Sequence, residues 1–344
     1  MTQNRTTIKD IARECGVSLS TVSLVLNDNP RIGEKTRQKV QEAVRRHSYQ
    51  PNHQARGLAS KSSRIMSVVV PNLSHVFSDV YFGEILNGVH ERASESDYKL
   101  LIDVANEKFL ANQDYVNIIR ARRADGMLFV ASSIHDNYLR DVEQAQLPVM
   151  LVNHYYPNSK LSYVTVDYRQ SAQRAAEHLL SLGHKRIGLI AGTNTYTGLD
   201  FRDAFLTYCR QKGLTEQDLP WVEGGPYWSQ EDGFAAAGKL LEQYPGLTAI
   251  MAANDRMAMG AISCAAGRGL RVPQDLSVMG VDDIPSAPFT SPALTTIKHD
   301  LSEVGRRSFD RLLAIFKKEA DSHQEVLPVE LVVRESTGPA PQQA

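Results

Sequence analysis

The sequence predicts an all-α head joined to an α/β body of two lobes, each built on a doubly wound parallel sheet. Three observations carry this. Residues 7–26 place apolar side chains at helical spacing on either side of one glycine. Residues 1–64 hold twelve Lys and Arg against five Asp and Glu, a net of +7, whereas residues 65–344 hold 26 against 34, a net of −8. From residue 65 onward, short apolar runs alternate with longer helical patterns.

Thr7, with Asp10 three residues on, forms a capping box, so a helix starts at Ile8. Ile8, Ile11, Ala12 and Cys15 share one face, Gly16 supplies a left-handed turn, and Val17 plugs the junction. Ser18 caps a second helix in which Val22, Val25 and Leu26 point inward. That leaves Leu19, Ser20, Thr21, Ser23 and Leu24 on or near the face open to a partner. This is a helix-turn-helix, with a second helix sized for a DNA major groove. An ordinary helical hairpin is the alternative, and the basic charge of residues 1–64 weighs against it, because a small basic head is the footprint of phosphate binding.

A third helix follows weak-capping Gly33 over residues 34–47, with Val40, Ala43 and Val44 closing a three-helix core. Arg31, Lys35, Thr36 and Arg37 gather at its start, where side chains and free backbone N–H groups hold phosphates. Pro51 then ends the helical pattern and Asn52 caps a very short new one. Two turns containing Gly57 do not hold in water, since a mid-helix glycine alone costs roughly 1 kcal/mol. Such a segment orders only on a surface, and Leu58 beside Arg56 suggests a wedge between base steps of a minor groove. A plain interdomain linker is the competing interpretation.

In the body, strands are expected at 65–70, 99–104, 126–130 and 148–152, separated by helices near 80–96, 110–122 and 136–145. A second series follows, with strands at 186–191, 249–252 and 276–281 and helices near 168–182, 201–213, 229–243 and 255–268. Two such lobes in tandem place a cleft between their strand C-termini, where a small ligand binds. The first residues carry no apolar run and no window approaches eighteen apolar residues, so a cytoplasmic protein without a membrane contact is expected. Cys15, Cys209 and Cys264 show no metal-ligand spacing and are expected to be buried small hydrophobes. There is no G-x-G-x-x-G after the first strand, no Walker sequence and no G-x-S-x-G, so neither cofactor nor metal nor catalysis is expected.

The motifs T-I-K-D-I-A-x-x-x-G-V-S-x-S-T-V-S, then N-x-x-x-x-I-x-x-x-T-R, then Y-x-P-N-x-x-A-R-x-L resemble the head and hinge of the lactose/galactose repressor family of bacterial transcription regulators. The resemblance continues through H-L-L-S-L-G-H-K-R-I from His178, A-N-D-R-M-A-M-G from Ala253, M-G-V-D-D from Met279 and L-T-T-I from Leu294. It implies lobes like those of periplasmic sugar-binding proteins, with a helix near 301–318 returning to the first lobe. It also implies a hinge, here Asn52, Ala55, Arg56 and Leu58, that folds on operator DNA in a dimer. Asn27, Thr7 and Thr36 match the family's backbone-positioning groups. Leu24 departs from it, standing where many relatives have a polar or basic base-reader, so Leu19 and Leu24 offer apolar contact such as to thymine methyls.

For the cleft, Arg202 follows Ala191-Gly192 at the spacing at which the family places an effector-clamping arginine. Asp282 at a strand end accepts from sugar hydroxyls, Asn254 both donates and accepts, and Trp228 stacks on a pyranose face. Asn72, His75 and Phe77 after the first strand, and Ser132 after the third, are weaker candidates. Each has a bland alternative: Arg202 as a surface helix residue, Asp282 as a turn former, Trp228 as cover for a lobe edge.

The domains are therefore expected at 1–50 (DNA binding), 51–64 (hinge), 65–335 (effector binding and dimerisation) and 336–344, a polar tail without heptads that is expected to be disordered. The expected protein is a homodimeric repressor on a pseudo-palindromic operator, released by a carbohydrate that parts the hinges. A corepressor design with a purine-like ligand is the nearest alternative. A solute-binding protein without DNA binding is a more distant one, disfavoured by the basic head.

Overall fold

The computed structural model describes residues 6–26, 29–47, 49, 62–73 and 76–341, and the chain divides into two compact units, Met1–Ser63 and Arg64–Ala344. Asn27, Asn52, Ala55, Arg56, Leu58 and His75, named above as site residues, lie outside the described residues.

The first unit holds α1 (Ile8–Cys15), α2 (Leu19–Leu26) and α3 (Glu34–Arg46). Thr7 N–H and its hydroxyl both donate to the Asp10 carboxylate, at 3.0 and 2.7 Å, closing the box that starts α1. Gly16 sits at φ +60°, and Ser18 Oγ accepts from Thr21 N–H at 3.0 Å to start α2. Ile11, Ala12, Cys15, Val22, Val25, Val40 and Ala43 form the buried core. The third helix ends one residue earlier than expected, with His47 as its cap, and Glu14 of α1 accepts from Arg46 (2.7 Å) and faces His47 (2.5 Å).

The second unit contains two six-stranded sheets. The first is ordered β2 (Lys99–Ala105), β1 (Ile65–Pro71), β3 (Gly126–Val130), β4 (Val149–Val152), β5 (Tyr163–Val166), β11 (Gln324–Leu327), all parallel. The second repeats this order as β7 (Trp221–Glu223), β6 (Ile187–Ala191), β8 (Ala249–Ala252), β9 (Ser277–Asp282), β10 (Thr295–Lys298), β12 (Glu330–Val332), with β12 alone antiparallel. Val69 pairs with Phe129 and Leu189 with Met251, which sets the reversal of strand order between β1 and β3 and between β6 and β8. Ligands bind at such reversals, outside the strand C-termini. The helices are α4 (Val80–Glu95), α5 (Glu107–Ala111), α6 (Asp114–Arg120), α7 (Tyr138–Gln144), α8 (Tyr168–Ser181), α9 (Tyr196–Gln211), α10 (Gln230–Gln243), α11 (Asp255–Gly267) and α12 (Leu301–Phe316).

Several expectations need correction. The single helix expected over 110–122 is two, because Gln113 turns left-handed at φ +51°. The helix expected from 201 starts at Tyr196, where Thr195 Oγ1 accepts from Gly198 N–H at 3.0 Å. The strands β5, β7, β11 and β12 were not expected: they are three or four residues long and, unlike the equally short β4 and β8, none is buried throughout as an apolar run. One expectation holds here: α12, the helix that the resemblance returns to the first lobe, follows the second lobe's β10 and packs on α4, β3, β4 and β5 of the first. That packing brings backbones together, since a Cβ on Gly88 would lie 1.9 Å from Ser302 O and one on Gly305 would lie 2.2 Å from Ile85 O.

Nor are residues 336–341 a disordered tail. Ser336 is fully buried, its N–H donates to Ala293 O (2.9 Å) and its hydroxyl to Val278 O (2.6 Å), while Val278 N–H donates back to Ser336 O (2.8 Å). Thr337 meets His178 and Thr295, Gly338 N–H donates to Ser277 Oγ, and Ala340 N–H donates to Leu182 O. Polar composition misled here, because these residues satisfy backbone and side-chain partners of the second lobe that would otherwise be buried unpaired.

The three cysteines are free and buried, as expected, and burial pushes the Cys209 thiol up to about 12. Among the described residues, no helix is long and apolar enough to cross a membrane, and no cluster of His, Cys, Asp and Glu is placed to hold a metal.

Candidate functional site

In the first unit, Leu19 (43 % exposed), Ser20 and Leu24 (37 % exposed) stand out on α2, with Thr21 and Ser23 half-buried beside them. Two exposed leucines on an eight-residue helix remain there although Val22 and Val25 are sealed in the core, so the outer face is apolar and hydroxyl-bearing rather than charged. Ser18 is occupied as the cap. Arg31 is exposed at the approach to α3, Thr36 is half-buried in its first turn, and Arg37 holds Asn29 O at 2.8 Å, which braces the turn between the helices. Thr7 is exposed, with its hydroxyl committed to Asp10.

In the second unit, a cleft opens at the C-terminal ends of both sheets. Ser132 enters it after β3, Trp228 after β7, Asn254 after β8 and Asp282 at the end of β9, so four of the residues named from sequence converge. Arg202, Asn72 and Phe77 do not line it. Along α9 Thr197, Gly198, Phe201, Phe205, Leu206 and Cys209 are buried, and Arg202 lies between Gly198 and Leu206 with its guanidinium turned to other partners. Its Nε donates to Asp203 at 2.8 Å and its guanidinium lies 5.0 Å from the Trp221 ring centroid. Phe77 is 67 % exposed and Asn72 is exposed, both carried outward by the loop that precedes α4.

Trp228 is held firmly. Its Nε1–H donates to Asn194 Oδ1 at 2.7 Å, and its ring lies so close over Gly192 that a Cβ there would be 2.0 Å from it. Asn254 Oδ1 accepts from Met257 N–H (2.8 Å), capping α11, while its Nδ2 donates to Trp228 O (3.1 Å). Asp282 is 7 % exposed; burial, and then the Asp79 carboxylate, hold its carboxyl well above the usual range. Its Oδ1 lies 3.3 Å from Nδ1 of His299, an imidazole that burial depresses to about 3 and so keeps neutral.

Sequence reasoning missed most of the first lobe's contribution, Ser132 excepted. Asp79, Tyr81, Asn153, His154 and Tyr168 all line the cleft. Asn153 Nδ2 donates to both Tyr81 Oη (2.9 Å) and Tyr168 Oη (3.0 Å). His154 Nδ1 lies 3.1 Å from Val152 O, and burial lowers the imidazole to about 4. Asp79 Oδ1 caps α4 through Tyr81 N–H at 3.0 Å while Oδ2 pairs with Arg256 of the second lobe. The signal available in sequence was position: residues 153 and 154 directly follow an apolar strand, where a doubly wound sheet places its ligands.

A two-lobed α/β receptor with its cleft at both strand reversals, carrying a three-helix head with a helix-turn-helix, is the architecture of a ligand-responsive DNA-binding regulator. Residues 7–52 match the model for bacterial regulatory proteins of the lacI family, and residues 176–337 match a periplasmic binding protein-like domain. The chain is 34 % identical over 340 residues to the HTH-type transcriptional regulator DegA of Bacillus subtilis (strain 168), covering 97 % of this chain and 99 % of that one. Its fold is similar to the Lac repressor dimer bound to operator and the anti-inducer ONPF (TM-score 0.85, 28 % identity, 97 % of this chain and 100 % of that chain). It is also similar to the transcriptional regulator CelR in complex with cellobiose (TM-score 0.72, 25 % identity, 96 % and 100 %). The protein belongs to the lacI family of bacterial regulatory proteins, and its relatives are transcription regulators rather than enzymes.

Proposed function

We propose that this protein is a homodimeric transcription repressor that binds a pseudo-palindromic operator and is released from it when a carbohydrate inducer fills the cleft. The observation that carries this is the cleft itself: polar groups from two separate sheets, Asn153 and His154 on one side and Asn254 and Asp282 on the other, face one cavity beside the fixed Trp228 ring. A ligand gripping both walls has a different affinity for each arrangement of the lobes, which is the requirement for coupling to a second site. The similar Lac repressor and CelR structures, described as bound to operator and to cellobiose respectively, support both halves of the reading.

On the DNA side, Leu19, Ser20 and Leu24 supply base contacts and Thr7, Arg31 and Thr36 supply phosphate contacts, while Asn27, Asn52, Ala55, Arg56 and Leu58 are proposed from sequence alone. Leu58→Ala is expected to weaken operator affinity well beyond non-specific affinity, and an unchanged ratio counts against a hinge wedge. A DNA-shift titration with sugars tests the whole: release shows an inducer, and tightening shows the corepressor design. Indifference of DNA binding to every ligand that fills the cleft rejects the regulator mechanism.

A further inference from the structure

We infer that Arg334, on the segment after β12 and outside the cleft, is a positioning residue for Asp282 inside it, acting through an ion pair with Asp283 that holds the turn following β9. The inference rests on the reading of the cleft as an effector site and concerns what sets the geometry of that site, not what fills it. Neither Arg334 nor Asp283 lines the cleft.

Asp282 and Asp283 are consecutive non-glycine residues at φ +111° and +56°. Asp283 falls in the left-handed well that aspartate tolerates, but +111° lies beyond it, so the backbone at Asp282 is strained and persists only where its surroundings over-determine it. The Asp282 side chain does not supply that restraint. Among the described residues no hydrogen bond reaches its carboxyl; His299 Nδ1 stands 3.3 Å away on an imidazole that burial keeps neutral, and the Asp79 carboxylate repels it.

What restrains the turn sits on the residues that follow. Asp283 Oδ1 accepts from Arg334 Nη2 at 2.6 Å, and Ile284 N–H donates to Asp255 Oδ2 at 2.9 Å. The ion pair is shielded, its side chains 17 % and 14 % exposed, so it is screened less than a surface bridge. Nη1 of the same guanidinium donates to Leu294 O at 2.8 Å, so the planar fork ties the entry of β10 to the turn after β9. Arg334 is itself fixed by its segment. Its N–H donates to Thr295 Oγ1 (2.9 Å), Glu335 N–H donates to Ala293 O (2.9 Å), and Thr295 N–H donates to Ser336 Oγ (2.8 Å). With the bonds between Ser336 and Val278, these lay the segment along the first residues of β9 and β10, and the guanidinium reaches from there to the turn. The place of Asp282 in the cleft is thus set by backbone that a cation outside the cleft holds.

The test is Arg334→Gln in the full-length protein, read by hydrogen exchange with no ligand added. The Ile284 amide is expected to exchange about tenfold faster, beyond any change at the amides of β6 and β8 in the same lobe, because one shielded charge-assisted bond is lost locally. Arg334→Lys, which keeps the charge but not the fork, should recover part of the protection. Arg334→Gln combined with Asp283→Asn should exchange no faster than the worse single variant, since both changes break the same pair. Calorimetry with glucose, ribose and cellobiose then reads the consequence: a probe that the wild type binds should bind Arg334→Gln about tenfold more weakly, although no cleft-lining side chain has changed. Unchanged exchange at Ile284, an equal rise at β6 and β8, additive effects in the double variant, or full probe affinity in Arg334→Gln overturns the assignment. The two readings fail separately. Exchange at Ile284 judges Arg334 whether or not a sugar binds, whereas a probe that binds the wild type without affecting DNA sinks the regulator mechanism alone.

Discussion

Asp79 and Arg256 form an ion pair from one lobe to the other, and the same carboxylate that receives the Arg256 guanidinium also caps α4 through Tyr81 N–H. A single side chain thus ties the start of a first-lobe helix to the first turn of α11 at the lip of the cleft. Both side chains are shielded, at 15 % and 28 % exposure, so the pair is less screened than a surface bridge. A double-mutant cycle of Asp79→Asn and Arg256→Gln is expected to give a coupling of about 1 kcal/mol in chemical unfolding. Asp79→Ala should lose roughly 1 kcal/mol more than Asp79→Asn, because asparagine still caps. Zero coupling, or equal loss in the two Asp79 variants, contradicts the double role.

The approach of α4 to α12 leaves no room for a side chain. A methyl at Gly88 would lie 1.9 Å from Ser302 O and 3.0 Å from Arg306 N, and neither backbone atom can swing aside. Gly88→Ala is therefore expected to cost about 3 kcal/mol, read as a lowered denaturant midpoint. A midpoint unchanged from the parent would show that the helices separate freely.

Gly192 tests the aromatic wall. Gly192→Ala places a methyl 2.0 Å from the Trp228 ring, which is otherwise pinned by its bond to Asn194. In a Trp221→Phe background, leaving Trp228 as the remaining tryptophan, this change should shift the emission spectrum and weaken ligand binding about tenfold. Retention of both spectrum and affinity would mean the ring is not part of the ligand wall.

His154 gives a pH signature with a definite sign. Its unfolded value is near 6.5 and burial lowers the folded value to about 4, so the unfolded chain binds the extra proton between those limits. The stability at stake is fully present above pH 6.5 and is lost as pH falls toward 4, with His299 acting in the same direction. Asp255 and Asp282 act oppositely, since burial raises both and acid relieves them. The comparison is thus wild type against His154→Gln: between pH 7 and 4.5 the wild type should lose on the order of 2 kcal/mol more. Parallel pH profiles would contradict a buried neutral imidazole.

On the head, Leu24 is 37 % exposed and outside the core of Ile11, Val22, Val25 and Val40. Leu24→Ala should leave the melting temperature within a degree or two yet reduce specific operator affinity about fivefold, the equivalent of roughly 1 kcal/mol for one base contact. A uniform loss on all DNA sequences would assign Leu24 to backbone contact instead.

Much of the fold was legible because its causes are local. The Thr7–Asp10 box, Gly16 and the Ser18 cap set α1 and α2 through neighbours three or four residues away, and the buried strands β1, β3 and β8 announce themselves as apolar runs. Three-residue strands such as β7 and β12, only partly buried, carry too few side chains for a pattern to show. They exist because a neighbouring strand offers hydrogen bonds, which is a tertiary fact.

The site divides in the same way. Asp282, Asn254, Trp228 and Ser132 were recognisable from strand ends and motifs. Arg202 does not line the cleft, because its guanidinium is engaged by Asp203 and lies over the Trp221 ring, partners that only the folded chain brings to it. By itself the sequence determined a three-helix basic head and two α/β lobes, since charge, caps and periodicity are written residue by residue. Only the tertiary structure decided that Asn153 and His154 face the cleft and that residues 336–340 are hydrogen-bonded onto the second lobe, with Ser336 buried. Each depends on which distant surface is left to be covered or hydrogen-bonded once the chain has closed.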